Sequence, residues 1–372
     1  MCGFVPDGRR DYMLTPELRL IHLQLTKHCN LRCSFCGQWG EHGYMKEQSA
    51  DDLTTAQWLD VVAQAVRYRA ETGIAPQFIL WGGEPLASPS FPVVSAALRD
   101  AGFTTALITN GVLIEKHLDA INRNIDTVYV SLDGPPEVHE RVRGAKGIWP
   151  RIERGLAGLD RAKVMRVCLF TLCGENWREA VAFPHRLGPL GFDRVIYQNL
   201  IYCTSQQADD YRRWMRESFA QETPRLYSWI SDAPERWVNE LSGIVAELEA
   251  NVRAGVYSLE VQLYPGELNA GNIAQWYDSS VHVKKTNLPC AMPFRHLQIN
   301  HDGQTHFCVD FNDFTLGNVR EHSVLELFTN ERARRFRAEG ATCNSLCARC
   351  PWYYNESLAV DRPAAEAVRR SV

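Results

Sequence analysis

Three cysteines, Cys29, Cys33 and Cys36, fall within eight residues of the run Cys29-Asn30-Leu31-Arg32-Cys33-Ser34-Phe35-Cys36, directly after the alternating apolar residues Ile21, Leu23 and Leu25. Three thiolates at C-x3-C-x2-C spacing cannot complete a tetrahedral zinc site or give each iron of a four-iron cluster a protein ligand. One coordination position stays open, which is the property that separates reactive metal sites from structural ones. Thiolates this close together suit iron–sulfur chemistry. A second group, Cys290, Cys308, Cys343, Cys347 and Cys350, lies near the other end of the chain. These eight of the twelve cysteines point to metal at two places. Cys2, Cys168, Cys173 and Cys203 stand apart, and Cys168, within an apolar run, reads as a small core residue. The spacing is not that of a disulfide framework, and a reducing compartment keeps such thiols free.

Further residues with chemical potential come in order along the chain. Gly82-Gly83-Glu84-Pro85 combines two glycines, which let backbone come close to a ligand, with a carboxylate suited to an ammonium group. Thr109-Asn110-Gly111 comes next, then Ser131-Leu132-Asp133-Gly134-Pro135 with Arg141 and Arg143 beyond it. Ser131 can donate to a carboxylate, and Arg143 can bind one through a two-pronged fork. Glu84 and Arg143 are thus placed to grip the two ends of a free amino-acid zwitterion. Each motif alone is weak, and a Gly-Gly-Glu-Pro turn is common. Their joint order after the three-cysteine loop is the signal.

The elements that must hold these residues read as alternating strands and helices. Strands are predicted at 19–25, 77–81, 104–109, 126–132, 165–171 and 194–200, and helices at 55–72, 90–101, 114–122, 149–161 and 177–187. In 55–72, Trp58, Leu59, Val62, Ala65, Val66 and Tyr68 repeat at helical spacing, with Thr54 or Thr55 as cap. Such alternation predicts a parallel α/β sheet, here a partial (β/α)6 barrel, since six units are too few to close an eight-stranded one. Each motif sits just after a predicted strand, where active residues of such folds gather. From about 205 to 255, Tyr211, Trp214, Met215, Trp229, Trp237, Leu241, Val245 and Leu248 suggest two or three helices, the aromatic stripe reading as core. Residues 256–289 are mixed, with turns at Pro265, Gly266 and Gly271.

Composition sets the outer limits. The 372 residues, 45% hydrophobic and 23% charged, fit one large or two ordinary globular domains. A net charge of −4 with scattered Lys and Arg gives no case for nucleic acid. No apolar run approaches the ~20 residues of a membrane span. The first ten residues hold no signal-peptide core, so a cytoplasmic location is expected.

Taken in order, these motifs resemble the radical S-adenosylmethionine (radical SAM) superfamily over roughly residues 18–205. Cys29, Cys33 and Cys36 match its cluster motif, with Phe35 at the aromatic position before the last cysteine. Gly82–Pro85 match its loop for the methionyl amino group. Ser131 and Arg143, within SLDGPPEVHERVRG, resemble the pair that binds the methionyl carboxylate in the peptide-modifying branch. Asn110, Asn176 and Leu200 stand at later strand ends where that family contacts ligand. The resemblance implies a [4Fe-4S] cluster on the three cysteines, SAM on its open iron, and a 5′-deoxyadenosyl radical that removes a substrate hydrogen atom. A structural zinc loop is the plainer alternative.

The later cysteines, Cys290, Cys308, Cys347 and Cys350, with Gly303 five residues before Cys308, resemble the SPASM and twitch extensions of this superfamily, closest to the shorter twitch form. That implies one auxiliary [4Fe-4S] cluster with no open position, Cys343 being a spare, and a zinc knuckle remaining the alternative. The implied layout is a core at 18–205, a helical insert and linker at 206–285 that could form a substrate lid, an auxiliary domain at 286–355 and a tail at 356–372. A closed auxiliary cluster suits electron transfer, so the expected reaction is a two-electron oxidation of a small polyol, sugar or aminocyclitol in natural-product biosynthesis. The single-cluster extension favours that substrate class, the oxidation being what resemblance to 2-deoxy-scyllo-inosamine dehydrogenase implies, and so does the short stretch before residue 18, with no room for a fused recognition module. A ribosomal precursor peptide, crosslinked, oxidised or epimerised, is the competing substrate, and a non-catalytic iron–sulfur electron carrier the reading from another class. A flavodoxin or ferredoxin is the expected electron donor. Asp133, Glu175, Asp310 and Asp313 are candidate bases, and Cys173, Cys203 and Cys343 candidate thiol hydrogen donors.

Overall fold

Sheet register sets the architecture. The computed structural model describes residues 15–47, 50–232, 238–277, 290–339, 345–347 and 350–354. Six parallel strands run in sequence order: β1 (Leu20–Gln24), β2 (Gln77–Trp81), β3 (Thr105–Thr109), β4 (Thr127–Ser131), β5 (Met165–Leu172) and β6 (Arg194–Asn199). Each lies within a residue or two of its predicted run. The helices crossing between them are α1 (Thr55–Thr72), α2 (Phe91–Asp100), α3 (Leu118–Asn124), α4 (Pro136–Arg143), α5 (Trp149–Ala157) and α6 (Pro184–Leu187). Thr54 opens α1 through a capping box with Gln57, and Gly73, at φ 74°, closes it. Trp58, Phe78 and Phe91 are fully buried in the hydrophobic core, each contributing about 1.5–3 kcal/mol.

Two helical stretches differ most from the expected layout. The predicted helix at 177–187 is broken into a short 3-10 turn, Trp177–Glu179, and α6, which starts at Pro184; proline has no N–H to continue an earlier turn. The stretch read only as a motif, 136–143, is helix α4. Pro136 begins it and Gly144, at φ 64°, ends it in the left-handed conformation that glycine tolerates.

Beyond β6 come α7 (Ser205–Phe219) and α8 (Val238–Arg253), in line with the helical reading of that region. Tyr211, Met215, Leu241, Val245 and Leu248 are buried, as a core stripe requires, while Trp237 lies outside the described residues. The sheet then grows at both ends. β7 (Glu260–Tyr264) adds parallel to β6, and β8 (His296–Ile299) adds parallel to β1, extended by antiparallel β9 (Gln304–His306) and β10 (Gly317–Asn318). The order is β10-β9-β8-β1-β2-β3-β4-β5-β6-β7. The C-terminal cysteine region is therefore hydrogen-bonded to β1, the strand that carries the first cysteine loop. Phe219 and Phe314, 4.6 Å apart, and Phe336, 4.7 Å from Phe314, pack α7 against that region. Among the described residues no helix is long and apolar enough to cross a membrane.

Candidate active site

A cavity of about 250 Å³ opens at the C-terminal ends of the strands. One wall carries Cys29, Cys33 and Cys36; the next carries Gly82, Gly83 and Glu84, then Asn110, Ser131 and Arg143. Residues separated by more than a hundred positions are thus brought to one rim by the parallel register. Pro85 is buried behind this wall, at the start of a turn whose N-cap is Glu84.

Each sulfur of the cysteine loop receives an N–H: Leu31 N donates to Cys29 Sγ at 3.5 Å, Arg143 Nη1 to Cys33 Sγ at 3.5 Å and Trp39 N to Cys36 Sγ at 3.4 Å. Donors aimed at sulfur favour thiolate. Burial opposes them, pushing the Cys29 thiol up to about 12 and Cys33 upward as well, with the Arg143 charge pulling Cys33 back down. A cation bound there would displace the thiol protons. Among the described residues no three His, Cys, Asp or Glu side chains converge on one metal-ion position. The loop is fixed by α4. Arg32 N donates to Arg143 O and Ser34 N to Val142 O, and Gly144 lies against the Arg32 carbonyl, where a side chain would collide.

Glu84 is 1% exposed, and its carboxylate accepts from Thr109 Oγ1 at 2.7 Å, Asn110 N at 2.9 Å and Leu86 N at 3.1 Å. Burial still outweighs these donors and raises its pKa to about 7. An ammonium partner would restore the charge. The adjoining backbone is tight: Gly83 sits against the His28 carbonyl with no space for a Cβ. Asn110 spends its side chain on Asn30 Oδ1 (2.8 Å) and Val112 N (3.1 Å), so it ties this wall to the cysteine loop. Asn176 is buried away from the cavity, bonded to Cys173 N and Thr171 O, whereas Leu200 lines it.

Arg143 is more occupied than its motif suggests. Its Nε pairs with Asp133 Oδ2 at 2.5 Å and Nη1 goes to Cys33, leaving Nη2 without a bond among the described residues. Asp133 is fully buried and also accepts from Thr171 N. Its own N–H donates to His139 Nδ1, and burial holds His139 neutral, its pKa lowered to about 3.

The far wall comes from elsewhere in the chain. Trp81 ends β2; Trp229 belongs to the insert; Asp310 and Pro351 belong to the C-terminal region. Trp229 packs where a Gly37 side chain would be, its ring 2.6 Å from that Cβ position, and 5.8 Å from the Phe311 ring. Motif reading missed Trp81 and Trp229, the second because it lies in a stripe read wholly as core. The four candidate bases separate clearly. Asp133 is locked to Arg143; Glu175 accepts from Ser34 on the outer surface and pairs with Arg141; Asp313 accepts from Arg225 N. Asp310 alone of the four lines the cavity, its Oδ2 accepting from Trp352 Nε1 at 3.2 Å. Cys173 and Cys203 are buried and do not line it, and Cys343 lies outside the described residues.

Of the second cysteine group, Cys308 follows β9, Cys290 precedes the short helix Met292–Arg295, and Cys347 and Cys350 share a turn in which Cys350 N donates to Cys347 O. Burial drives the Cys308 thiol upward, and a thiolate at Cys350 drives it further, so the two lie within electrostatic reach. The chemistry of that donor set fits an iron–sulfur group.

Comparison with known proteins supports this assembly of parts. Residues 23–184 match the model of the radical SAM superfamily, and residues 290–351 match the SPASM model, an iron–sulfur cluster-binding domain. The GTP 3′,8-cyclase of Chlorobaculum tepidum is 38% identical over 239 residues, 60% of this chain and 67% of its own. The Fe-coproporphyrin III synthase of Methanosarcina barkeri is 23% identical over 344 residues, 88% and 79% respectively. In fold the chain is similar to SuiB of Streptococcus suis, solved with its precursor peptide SuiA, at a TM-score of 0.60 and 14% identity over 92% of this chain and 72% of that one. The chain belongs to the radical SAM superfamily and carries a C-terminal SPASM domain. Its cofactors are SAM, a [4Fe-4S] cluster and auxiliary iron–sulfur.

Proposed function

We propose that the protein is a radical SAM oxidoreductase that carries out a two-electron oxidation on a side chain presented by a peptide. The observation that carries the substrate class is the far wall. Outside the SAM-gripping residues the cavity surface is mostly apolar, from Trp81, Trp229, Leu200, Ile201 and Pro351 among others, with polar groups from Gln38, Thr109, Thr171, Gln198, Asn199 and Asp310. A polyol site needs paired donors and acceptors for its hydroxyls, because each buried one left unpaired costs binding. The single-cluster cysteine set keeps a polyol or aminocyclitol as the second reading. SuiB, similar in fold, was solved with a precursor peptide.

Cys29, Cys33 and Cys36 would hold the first cluster, and Cys290, Cys308, Cys347 and Cys350 one auxiliary [4Fe-4S] cluster that can accept an electron. Bound at the first site, cluster and SAM would supply a 5′-deoxyadenosyl radical as hydrogen-atom acceptor. Glu84 holds the methionyl ammonium, and Ser131 with Arg143 Nη2 holds the carboxylate. Gly82 and Gly83 let the backbone approach, and Asn110 anchors the loop. Trp81 and Trp229 exclude water from the reacting centre. Asp310 takes the proton that leaves the substrate. Loss of one hydrogen atom, one proton and one electron balances as a two-electron oxidation. In this division of labour 18–205 is the core, 206–285 walls the cavity, 286–355 holds the auxiliary cluster and a flavodoxin or ferredoxin supplies the electron.

The test is isotope transfer. Reconstituted protein is given SAM, reductant and either side-chain-deuterated peptides or deuterated polyols. Deuterium in 5′-deoxyadenosine from a peptide supports the reading, and label arriving from a polyol alone overturns it.

A further inference from the structure

Two segments that flank auxiliary cysteines converge on one residue of β1. Phe307, next to Cys308, accepts a hydrogen bond at its carbonyl from His296 Nδ1 at 2.9 Å. That fixes the tautomer of His296, whose Nε2 must then accept from His22 Nδ1 at 2.8 Å. Both rings are buried and neutral, each pKa lowered by burial. On its other side His22 meets Trp352, two residues beyond Cys350, edge-on at 5.4 Å. The same indole lies 6.3 Å from the ring of Tyr264, the last residue of β7, and its Nε1 donates to Asp310. Trp352 therefore bridges β1, an interior strand of the sheet, and β7, the edge strand at one end of it. Pro351 beside it lines the cavity, as does Gln198, which is in register with Tyr264.

We propose that Trp352 is a positioning residue that closes the substrate cavity by bridging β1 and the edge strand β7, and that ligation of the auxiliary cluster by Cys350 sets it there. The second clause rests on the reading of Cys347 and Cys350 as cluster ligands. On this view the auxiliary domain builds one wall of the cavity and holds the Asp310 carboxylate toward it, besides any redox work. The wall is rigid because three contacts fix one ring: His22, Tyr264 and Asp310. Emptying that volume frees the strands it bridges, and local opening of this kind is read by amide exchange.

The experiment compares wild-type, Trp352→Phe, Trp352→Ala and Cys350→Ser proteins, anaerobically reconstituted, by iron content, hydrogen–deuterium exchange and uncoupled 5′-deoxyadenosine formation with SAM and dithionite. Trp352→Ala is expected to keep its iron while exchange in peptides covering 18–26 and 260–264 rises about fivefold, and uncoupled cleavage rises about threefold as water and reductant enter. Trp352→Phe, which keeps a ring in the gap, stays within about twofold of wild type in exchange. Cys350→Ser gives the same exchange increase as Trp352→Ala. If Trp352→Ala does not fold, Trp352→Leu carries the comparison. Unchanged exchange in Trp352→Ala or Trp352→Leu at full iron content overturns the bridging role of Trp352. An exchange rise in both tryptophan variants but not in Cys350→Ser overturns the link to the cluster, and an iron content unchanged in Cys350→Ser counts against the ligand reading instead.

Discussion

Asp133 and Arg143 form a buried ion pair, Oδ2 to Nε at 2.5 Å, and the same guanidinium reaches Cys33 Sγ. The arginine expected to meet a ligand carboxylate is thus oriented first by a protein carboxylate. Burial disfavours its charge, and Asp133 and Cys33 together more than offset that, holding it firmly protonated. Asp133→Ala leaves a buried cation without its partner, so a loss of about 3–5 kcal/mol is expected. Thermal melts of the apo protein check this, and an unchanged midpoint would show that the pair contributes nothing to the fold.

Glu84 gives a pH dependence with a definite sign. Its carboxylate, raised to about 7 by burial, is protonated below that pH in the ligand-free protein and cannot pair with an ammonium. SAM affinity should weaken roughly tenfold between pH 8 and pH 6, following the fraction ionised. Glu84→Gln should bind roughly 10- to 100-fold more weakly at pH 8, the loss of a ~1.5–3 kcal/mol charged hydrogen bond, with little pH slope. Anaerobic equilibrium dialysis with labelled SAM measures both. A steep slope retained in Glu84→Gln would assign the titration to another group.

Gly83→Ala should unseat the cysteine loop. A Cβ there meets the His28 carbonyl, which is backbone and cannot rotate away. Iron loading should fall from about eight to about four per chain, since only the first site is disturbed. Full iron with normal deoxyadenosine formation would show that the loop yields at no cost.

Asp310→Asn separates hydrogen abstraction from oxidation. The amide keeps a bond to Trp352 Nε1, but cannot take a proton. Deoxyadenosine should still form with substrate present, while oxidised product falls by about 10²–10⁴-fold, the usual worth of a general base. Equal product from the variant would remove Asp310 from the mechanism.

Much of this site was legible because its signals are local. Six strands could be read from apolar runs, and the fold's parallel register places the loop after each strand on one rim. Glu84 and Ser131 were therefore found by position. The features that escaped depend on partners distant in sequence. The Asp133–Arg143 pair lies within one motif, yet it needs the stretch between them to fold as α4, which the motif reading did not assign. The strands β8 to β10 are two to four residues long, too short for periodicity, and owe their existence to the edge of β1. Trp229 and Trp352 reach the cavity or its wall through packing that no spacing rule encodes.

The most direct test is anaerobic reconstitution with iron, sulfide and SAM, followed by iron analysis and reductive cleavage in wild-type and Cys33→Ala proteins. Wild-type protein should bind about eight irons per chain and release 5′-deoxyadenosine on reduction, and Cys33→Ala should release none while keeping about four irons. A reduced, iron-loaded wild-type protein that forms no 5′-deoxyadenosine, or a Cys33→Ala variant that forms it normally, would contradict the assignment of Cys29, Cys33 and Cys36 as the centre of the chemistry.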